Sequence, residues 1–300
     1  MYTKQIYSLL PKEIVKVCKL SDQTTFRIGG KATIVFPRSE EEFVFCLRTF
    51  EENEITYRVL GNGSNILAGS GKHEAIYICP IEIEKKFVLK GNLLKASAGA
   101  NINEVIMFCQ SHGVAGLENL FGIPASVGGM IAMNASAFGC GIYDHISKIT
   151  VFEKGLVRAI DPKDVLRLNH FSEFLGSKKV IINAEFALDS KDPVALIKRI
   201  REVSEKRALK QPKGNSAGCV FRNPEGDFAG RLIDQAGLKG KRVGKAFVSD
   251  IHANFIISEG ASSNQVEKLI EKIQKTVLKK TGVVLEPEIQ IMGEKNEINK

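Results

Sequence analysis

The feature that most constrains this chain is a stretch of 25 residues without a single charge, from position 119 to position 143. A segment of that length is long enough to cross a bilayer as a helix. It contains five glycines, a proline and two asparagines, however, and this composition suits close backbone packing or ligand contact better than contact with lipid. We therefore predict a folded glycine-rich segment and no membrane insertion.

The overall composition is that of an average globular protein, with 44% hydrophobic, 25% charged and 7% aromatic residues in a chain of 300. These values exclude collagen, a coiled coil and intrinsic disorder, and the length predicts two or three domains. The net charge of +8 raises the local concentration of anions around the protein. Nucleic acid, an acidic membrane surface and small phosphorylated ligands are all compatible with this charge.

The cysteine pattern predicts free thiols and no metal site. No C-x-x-C pair and no histidine at metal-ligand spacing accompanies the six cysteines, which are Cys18, Cys46, Cys79, Cys109, Cys140 and Cys219. Free thiols are typical of a reducing compartment, and the first ten residues lack the apolar core of a signal peptide. We expect a cytoplasmic protein.

The hydrophobic periodicity predicts a mixed α+β chain. Capping pairs at Ser39–Glu42 and Asn101–Glu104 each predict the start of a helix, and Asp192–Pro193 predicts the start of a third, long helix. Further strands and helices are expected toward the C-terminus. Short strands are predicted at 24–36, 57–60, 75–79, 93–98 and 254–257.

Two more strands are predicted from the alternation of apolar residues. Residues 180–188 resemble a half-buried strand, with one apolar face made of Val180, Ile182, Ala184, Phe186 and Leu188. A final strand is predicted over 283–292, where alternation places Glu286 and Glu288 on one face. That face is either solvated or part of a site.

The strongest change of composition predicts the main domain boundary. Residues 191–213 hold eight basic and three acidic residues, and no aromatic residue lies between Asp189 and Cys219. Without aromatic side chains for base stacking, this segment does not predict a nucleic-acid site. We place one region at 1–190, with subdomains at about 1–90 and 91–190, and a C-terminal domain at 191–300.

Two glycine-rich loops are candidate ligand sites. Gly61–Asn65 directly follows a predicted strand, and glycines let backbone N–H groups converge on a phosphate. It is not the dinucleotide fingerprint, because Ile66 stands where a third glycine is needed, and no P-loop lysine follows. The second loop, Gly122–Gly129, continues to Asn134. An ordinary tight turn and a buried crossover are the alternatives.

Two more segments carry groups capable of chemistry. Ser216–Pro224 is polar and places the Cys219 thiol near the cation Arg222. A lone cysteine is more often a small buried hydrophobe, so the local sequence leaves both readings open. Glu288 lies inside the apolar terminal segment.

Taken in order, these segments resemble one family, the UDP-N-acetylenolpyruvoylglucosamine reductases (MurB). The similarity runs nearly from end to end, through long motifs in the correct order. They are 24–30, 60–67, 116–118, 122–134, 216–224, 236–240, 252–255 and 285–293.

The resemblance implies an FAD-binding fold of the vanillyl-alcohol-oxidase (PCMH) type followed by a substrate-binding domain. It implies the compact second subtype, and non-covalent FAD. The residues that it implies around the FAD are Gly61, Asn62, Gly63, Ser64, Asn65, Gly122, Ile123, Pro124, Ala125, Ser126, Gly128, Gly129 and Asn134.

The resemblance also implies the reaction, a step of peptidoglycan precursor synthesis. NADPH reduces FAD, hydride then reaches C3 of the enolpyruvyl ether of a UDP-sugar, and a proton reaches C2. The product is UDP-N-acetylmuramate. A vinyl ether accepts hydride poorly, so the developing charge must be stabilised and a proton donor must be positioned.

Carried over residue by residue, the family's proton donor falls on Cys219, where the family motif has serine. The assisting glutamate falls on Glu288, and substrate contacts fall on Arg222 and Asn223. The family arginine that holds the polarised substrate has no direct counterpart, because an ungapped alignment places His170 there. A shifted register would use Arg167 instead.

These departures leave three functions open. The chain is expected to be a divergent, active, monomeric reductase with a small-molecule UDP-sugar substrate. The first alternative is a flavin oxidoreductase of the same fold acting on another anionic substrate. The second is a non-catalytic paralogue that binds FAD or a UDP-sugar.

Overall fold

The computed structural model describes residues 2–168 and 171–293, so His170 lies outside the described residues. The α-helices of the described chain are α1 (Tyr2–Leu9), α2 (Glu40–Glu52), α3 (Ile102–Ser111), α4 (Val127–Ala132), α5 (Pro193–Lys210), α6 (Ala229–Gln235) and α7 (Ser263–Thr281). Short 3₁₀ turns lie at Lys12–Ile14, Leu20–Gln23, Pro80–Glu82, Glu118–Leu120, Ile142–Asp144 and Pro162–Asp164.

The strands are mostly short and are spread over the whole described chain. The first ten are β1 (Val15–Lys19), β2 (Lys31–Val35), β3 (Tyr57–Val59), β4 (Ile66–Ala68), β5 (Ile76–Ile78), β6 (Phe87–Lys90), β7 (Leu93–Ser97), β8 (Val114–Ala115), β9 (Ser136–Ala137) and β10 (Cys140–Gly141). The rest are β11 (Ile146–Glu153), β12 (Leu156–Ile160), β13 (Arg167–Leu168), β14 (Phe171–Ser172), β15 (Val180–Ala187), β16 (Asp189–Ser190), β17 (Arg242–Val243), β18 (Ala246–Val248), β19 (Ile256–Ser258) and β20 (Gln290–Met292).

Three sheets of the described chain have more than two strands. One has the order β1-β2-β5-β3, with β5 parallel to both β2 and β3. The second is fully antiparallel, with the order β12-β11-β15-β7-β6. The third, β17-β18-β19, is a small antiparallel sheet, and β4 pairs with β20 in parallel. This mixture of sheets and helices confirms the predicted α+β class.

The chain forms two compact units. Unit 1 contains the chain up to Lys16, Thr33–Asn62 and Ala75–Arg207, and unit 2 contains Val17–Ala32, Gly63–Glu74 and the chain from Ala208 onward. The sequence placed the main boundary at 190/191, with subdomains at about 1–90 and 91–190. The structure keeps nearly all of α5 in unit 1 and adds two N-terminal segments to unit 2. The reason is burial: α5 packs Ile200 into the same core as β15 and α3.

Helix starts were predicted well because capping is a local interaction. The Ser39 hydroxyl accepts the Glu42 N–H at the start of α2, which buries Phe43 and Phe50. The Asp192 carboxylate accepts the N–H groups of Val194 and Ala195 at the start of α5.

The predicted face of residues 180–188 is wrong because β15 contains a bulge. The β11–β15 register shifts between the pairs Val151↔Ile181 and Thr150↔Asn183, so Ile182 is an extra residue. A bulge turns two successive side chains to one side. Val180 and Ile182 therefore pack into one core, while Ala184, Phe186 and Leu188 pack into another. The strand is also central in its sheet, and it is buried on both faces.

Two predicted strands are shorter in the structure. Of residues 24–36 only β2 is a strand, because Arg27 has φ +54° and Gly29 has φ +151°. Of residues 283–292 only β20 pairs in a ladder. Pro287 has no N–H to donate, and it makes only a single bridge with Phe221.

Candidate active site

In unit 1, the two predicted glycine-rich loops approach each other. Gly61 lies so close to Ser126 that a Cβ on Gly61 would stand 2.3 Å from the Ser126 hydroxyl oxygen. Only glycine fits there without a shift of the neighbour. The Ser126 hydroxyl also accepts the Gly129 N–H at 3.2 Å and so caps α4.

The 122–125 part of the second loop is fixed from α3. The Asn103 side chain accepts the Gly122 N–H at 2.6 Å and donates to the Ile123 carbonyl oxygen at 2.9 Å. Ala125 accepts the Ile102 N–H, and Pro124 is exposed. The loop is therefore held rigidly while part of it faces outward.

A cation lies against this loop. The Arg207 Nε donates to the Phe121 carbonyl oxygen at 2.7 Å, and its guanidinium carbon lies 5.1 Å from the centre of the Phe138 ring. Its Nη2 is buried and has no hydrogen-bond partner among residues 2–168 and 171–293. Gly122, with φ +88°, makes room for Arg207, because a Cβ there would lie 2.8 Å from the Arg207 Cδ.

The end of α4 is tied to the β13–β14 pair. The Asn134 Nδ2 donates to the Leu168 carbonyl oxygen at 2.9 Å, and the buried Ser172 hydroxyl donates to the Ala132 carbonyl oxygen at 2.8 Å. Asn134, a predicted FAD contact, is thus bonded to the segment in which the counterpart of the family arginine was predicted. The Arg167 guanidinium stacks at 4.6 Å over the Tyr143 ring. His170, the favoured replacement, lies outside the described residues.

In unit 2, Asn65 joins the first loop to the terminal segment. Its Nδ2 donates to the Glu288 carbonyl oxygen at 3.2 Å, and its own carbonyl oxygen accepts the Gln290 N–H at 2.9 Å. Gly63 is buried, and its carbonyl oxygen accepts the Thr25 N–H. Asn65 therefore fixes the backbone of a predicted catalytic residue.

The surroundings of the Cys219 thiol favour its neutral form. Burial, with the Glu288 carboxylate as the second cause, raises its pKa to about 12, although a hydrogen bond with the Asn254 side chain lowers it. A neutral thiol was expected on the first two grounds, and the role of Cys219 as proton donor stays a prediction. The backbone keeps the two segments adjacent, because the Glu288 N–H donates to the Val220 carbonyl oxygen at 2.8 Å.

The carboxyl group of Glu288 has a pKa near neutral pH. Burial raises the pKa of its carboxyl group to about 7, although the nearby charge of Arg222 lowers it. The Arg222 Nε is buried without a partner in the part of the chain that the structure describes. A group that titrates near the working pH is suited to proton transfer, and an unpaired guanidinium N–H is suited to an anionic ligand.

Asn223 lies at the surface, and its Oδ1 accepts the Ala229 N–H at 3.0 Å. It therefore stabilises the start of α6 as well as lying next to Arg222. Its predicted role as a substrate contact stays a prediction.

Two polar residues of these clusters were not identified from the sequence. Arg207 was only one of eight basic residues in a segment, and nothing local distinguished it. Asn254 belongs to a motif that carried the resemblance, but its partners Val220 and Phe221 are distant in sequence. Both residues were identified only from their hydrogen bonds in the structure.

The described part of the chain contains no group of three His, Cys, Asp or Glu residues arranged to hold a metal ion. Its helices include none that is both long and apolar enough to cross a membrane. All six cysteines lie in the described ranges, and no disulfide joins them.

Comparison with known proteins identifies the family. A model of an FAD binding domain matches residues 32–155, and the model of the UDP-N-acetylenolpyruvoylglucosamine reductase C-terminal domain matches residues 209–292. The UDP-N-acetylenolpyruvoylglucosamine reductase of Caldicellulosiruptor bescii is 38% identical over 94% of this chain and 91% of its own length. That of Carboxydothermus hydrogenoformans is 39% identical over 92% of each chain.

A solved structure agrees with these matches. The MurB structure from Thermus caldophilus has a TM-score of 0.81 and 33% identity, over 93% of this chain and 99% of that one. The chain is therefore a flavoprotein oxidoreductase with an FAD-binding fold of the vanillyl-alcohol-oxidase type. It belongs to the UDP-N-acetylenolpyruvoylglucosamine reductase family.

The residues present fit FAD. The close approach of Gly61 to Ser126 brings the two glycine-rich loops together, and the unpartnered Nη2 of Arg207 is a donor for an anionic or carbonyl group. Residues of both glycine-rich loops would hold the cofactor. The absence of the dinucleotide fingerprint is consistent with this fold.

Proposed function

We propose that this chain reduces the enolpyruvyl ether of UDP-N-acetylglucosamine-enolpyruvate to UDP-N-acetylmuramate, and that Cys219 supplies the proton. Family membership supports the reaction. The observation that carries the residue assignment is the backbone hydrogen bond from Glu288 to Val220 in unit 2, which places the Glu288 segment against the Cys219 segment, where burial and the Glu288 carboxylate raise the pKa of the thiol. Bound FAD supplies the hydride that reaches C3, and NADPH supplies the reducing equivalents.

The thiol suits the role of donor on energetic grounds. Hydride addition at C3 leaves an electron pair at C2, spread toward the adjacent carboxylate, and such a carbanion is far more basic than a thiolate. A thiol whose pKa is about 12 stays protonated until the hydride has arrived. It then breaks its S–H bond while the C2–H bond forms, and the sulfur keeps the electron pair.

Glu288 restores the thiol. Its pKa of about 7 means that a large share of the enzyme carries a carboxylic acid there at neutral pH. That acid returns a proton to the thiolate and takes another from water. In its ionised form, Glu288 raises the pKa of Cys219 and so keeps the thiol protonated before hydride transfer. In its protonated form, it returns a proton to the thiolate afterwards.

Cationic groups are assigned to the substrate's anionic parts. The unpartnered Nε of Arg222 is directed to a substrate anion, with Asn223 beside it. His170 is assigned to the substrate carboxylate, with Arg167 as the alternative. The basic segment 191–213 is assigned to the UDP end of the substrate and not to nucleic acid.

The cellular setting follows from the chemistry. We place the enzyme in the cytoplasm as a monomer that serves peptidoglycan synthesis, and hence cell shape and division. Six cysteines without a disulfide support a reducing compartment.

An anaerobic spectral titration tests the proposed reaction. The purified yellow protein should bleach with NADPH and regain its colour when the UDP-enolpyruvyl sugar is added. Failure of the second step would indicate another anionic substrate, and failure of the first would indicate a binding paralogue. Acid precipitation should release the flavin, because no covalent linkage is expected.

A further inference from the structure

Asn254 is buried in unit 2, and the proposed reaction does not use it. It lies two residues before β19, and its neighbour Phe255 forms a bridge pair with Cys219. A buried carboxamide needs partners for all of its polar atoms. The hydrogen-bond partners of its carboxamide lie on the segment that carries Cys219.

Three hydrogen bonds join Asn254 to that segment. The Phe221 N–H donates to Oδ1 at 2.9 Å, and Nδ2 donates to the Phe221 carbonyl oxygen at 2.8 Å. The Asn254 carbonyl oxygen accepts the Val220 N–H at 2.8 Å. If the amide were rotated by 180°, Nδ2 would face the Phe221 N–H and Oδ1 would face the Phe221 carbonyl oxygen. Neither pair can form a hydrogen bond, so the orientation of the side chain is fixed.

One N–H of the carboxamide remains after these bonds. Nδ2 carries two hydrogens, of which the Phe221 carbonyl oxygen takes one. The hydrogen bond from Asn254 to Cys219 favours the thiolate, against the effects of burial and of Glu288. Among the charged groups, Glu288 faces the thiol, and Arg222 acts on Glu288.

Asn254 is itself positioned from the other side. Its backbone N–H donates to the His252 Nδ1 at 3.3 Å, and the Ser249 hydroxyl accepts the N–H groups of Ile251 and His252. The loop before β19 is thus braced internally. Asn254 therefore has little freedom to move away from Cys219.

We propose that Asn254 is the positioning residue for Cys219: its carboxamide locks the 219–221 segment and keeps one N–H for the sulfur when the thiol gives up its proton. The inference rests on the proposed role of Cys219 as proton donor. Asn254 stays neutral throughout and exchanges no proton. Its effect is on the position of the thiol and on the stability of the thiolate that remains.

The first test is the alkylation of Cys219 by iodoacetamide, followed peptide by peptide with mass spectrometry in the FAD-loaded enzyme at about pH 9. Alkylation requires the thiolate. Asn254→Leu keeps the approximate size of the side chain and adds no charge, but loses the donor. We expect alkylation of Cys219 to slow by about fivefold or more, the effect of one lost hydrogen bond to a charged group.

A merely structural role predicts the opposite change. If Asn254 only supported the fold, its loss would loosen the segment, expose the sulfur and speed alkylation. An unchanged or faster rate in Asn254→Leu therefore overturns the inference. Asn215→Ala is the matched control, because the Asn215 side chain also donates to a backbone carbonyl oxygen, that of Ser258, but makes no contact with Cys219. Its alkylation rate should equal that of the wild type.

The second test separates this inference from the proposed function. Asn254→Ala should slow reoxidation of the reduced enzyme by substrate in the wild-type background, and it should add little in a Cys219→Ala background. Equal slowing in both backgrounds contradicts positioning of Cys219. If Cys219→Ala itself reoxidises normally, the role of Cys219 as donor fails, while the alkylation rates still decide whether Asn254 controls the thiol.

Discussion

Arg207 reaches from α5 to the glycine-rich loop and donates through Nε to the Phe121 carbonyl oxygen at 2.7 Å. This bond fixes the orientation of the guanidinium group. Its Nη2 is buried and has no hydrogen-bond partner in the described ranges 2–168 and 171–293. An unpaired buried cationic N–H is costly unless a ligand completes it. We propose that this ligand is FAD, because the model of an FAD binding domain matches residues 32–155.

Arg207→Ala should therefore weaken FAD binding by at least about tenfold, the loss of one hydrogen bond from a charged group. Fluorescence titration of the apoprotein with FAD measures the affinity. Arg199→Ala is the control, since Arg199 lies on the same helix but bonds to Asn119 and Glu202. Similar FAD affinities in both variants would contradict a role of Arg207 in the flavin site.

Glu288→Gln should make stability less dependent on pH. Burial raises the pKa of Glu288 from 4.5 to about 7, so its contribution to stability is complete below pH 4.5 and is lost as the pH rises toward 7. Between about pH 4 and pH 8 the stability of the wild type relative to the variant should fall by about 3 kcal/mol. Urea unfolding at both pH values measures it, and a constant difference would show that the carboxyl group is not buried.

The same substitution should make Cys219 more reactive. The Glu288 carboxylate raises the pKa of the thiol, and glutamine removes that charge. We expect Cys219 alkylation at about pH 9 to speed by severalfold in Glu288→Gln. Glu286→Gln is the control, because Glu286 is exposed on the same segment. Slower alkylation in Glu288→Gln would reverse the assigned interaction.

Local chemistry made parts of this fold predictable. Ser39 and Asp192 accept N–H groups a few residues away, so their helices could be read from the sequence. The β15 bulge could not, because the extra residue at Ile182 depends on pairing with β11. Alternation along one strand carries no information about its partner's register.

The candidate site shows the same limit. Cys219 and Glu288 were assigned by resemblance, because the local sequence favoured a small buried hydrophobe for the cysteine and left a solvated strand face open for the glutamate. What joins them is a hydrogen bond from Glu288 to Val220, across 68 positions of sequence. Arg207 and Asn254 are defined by contacts of the same long-range kind.

The position of the substrate carboxylate is tested by two alanine variants. His170→Ala should lower turnover strongly, and His170→Arg should flatten the alkaline limb of the pH profile, because arginine stays charged where histidine does not. Arg167 stacks on Tyr143, so Arg167→Ala should have the smaller effect. Loss of turnover in Arg167→Ala alone would assign the role to Arg167.

The central claim is that Cys219 gives the proton to C2, and stopped-flow measurement of the two half-reactions tests it most directly. In Cys219→Ala, reduction by NADPH should proceed at the wild-type rate, while reoxidation by the UDP-enolpyruvyl sugar should slow by at least about tenfold. Cys219→Ser, which keeps an exchangeable proton, should retain substantial activity. Reoxidation of Cys219→Ala at the wild-type rate would contradict the claim and assign the proton to Glu288 or water.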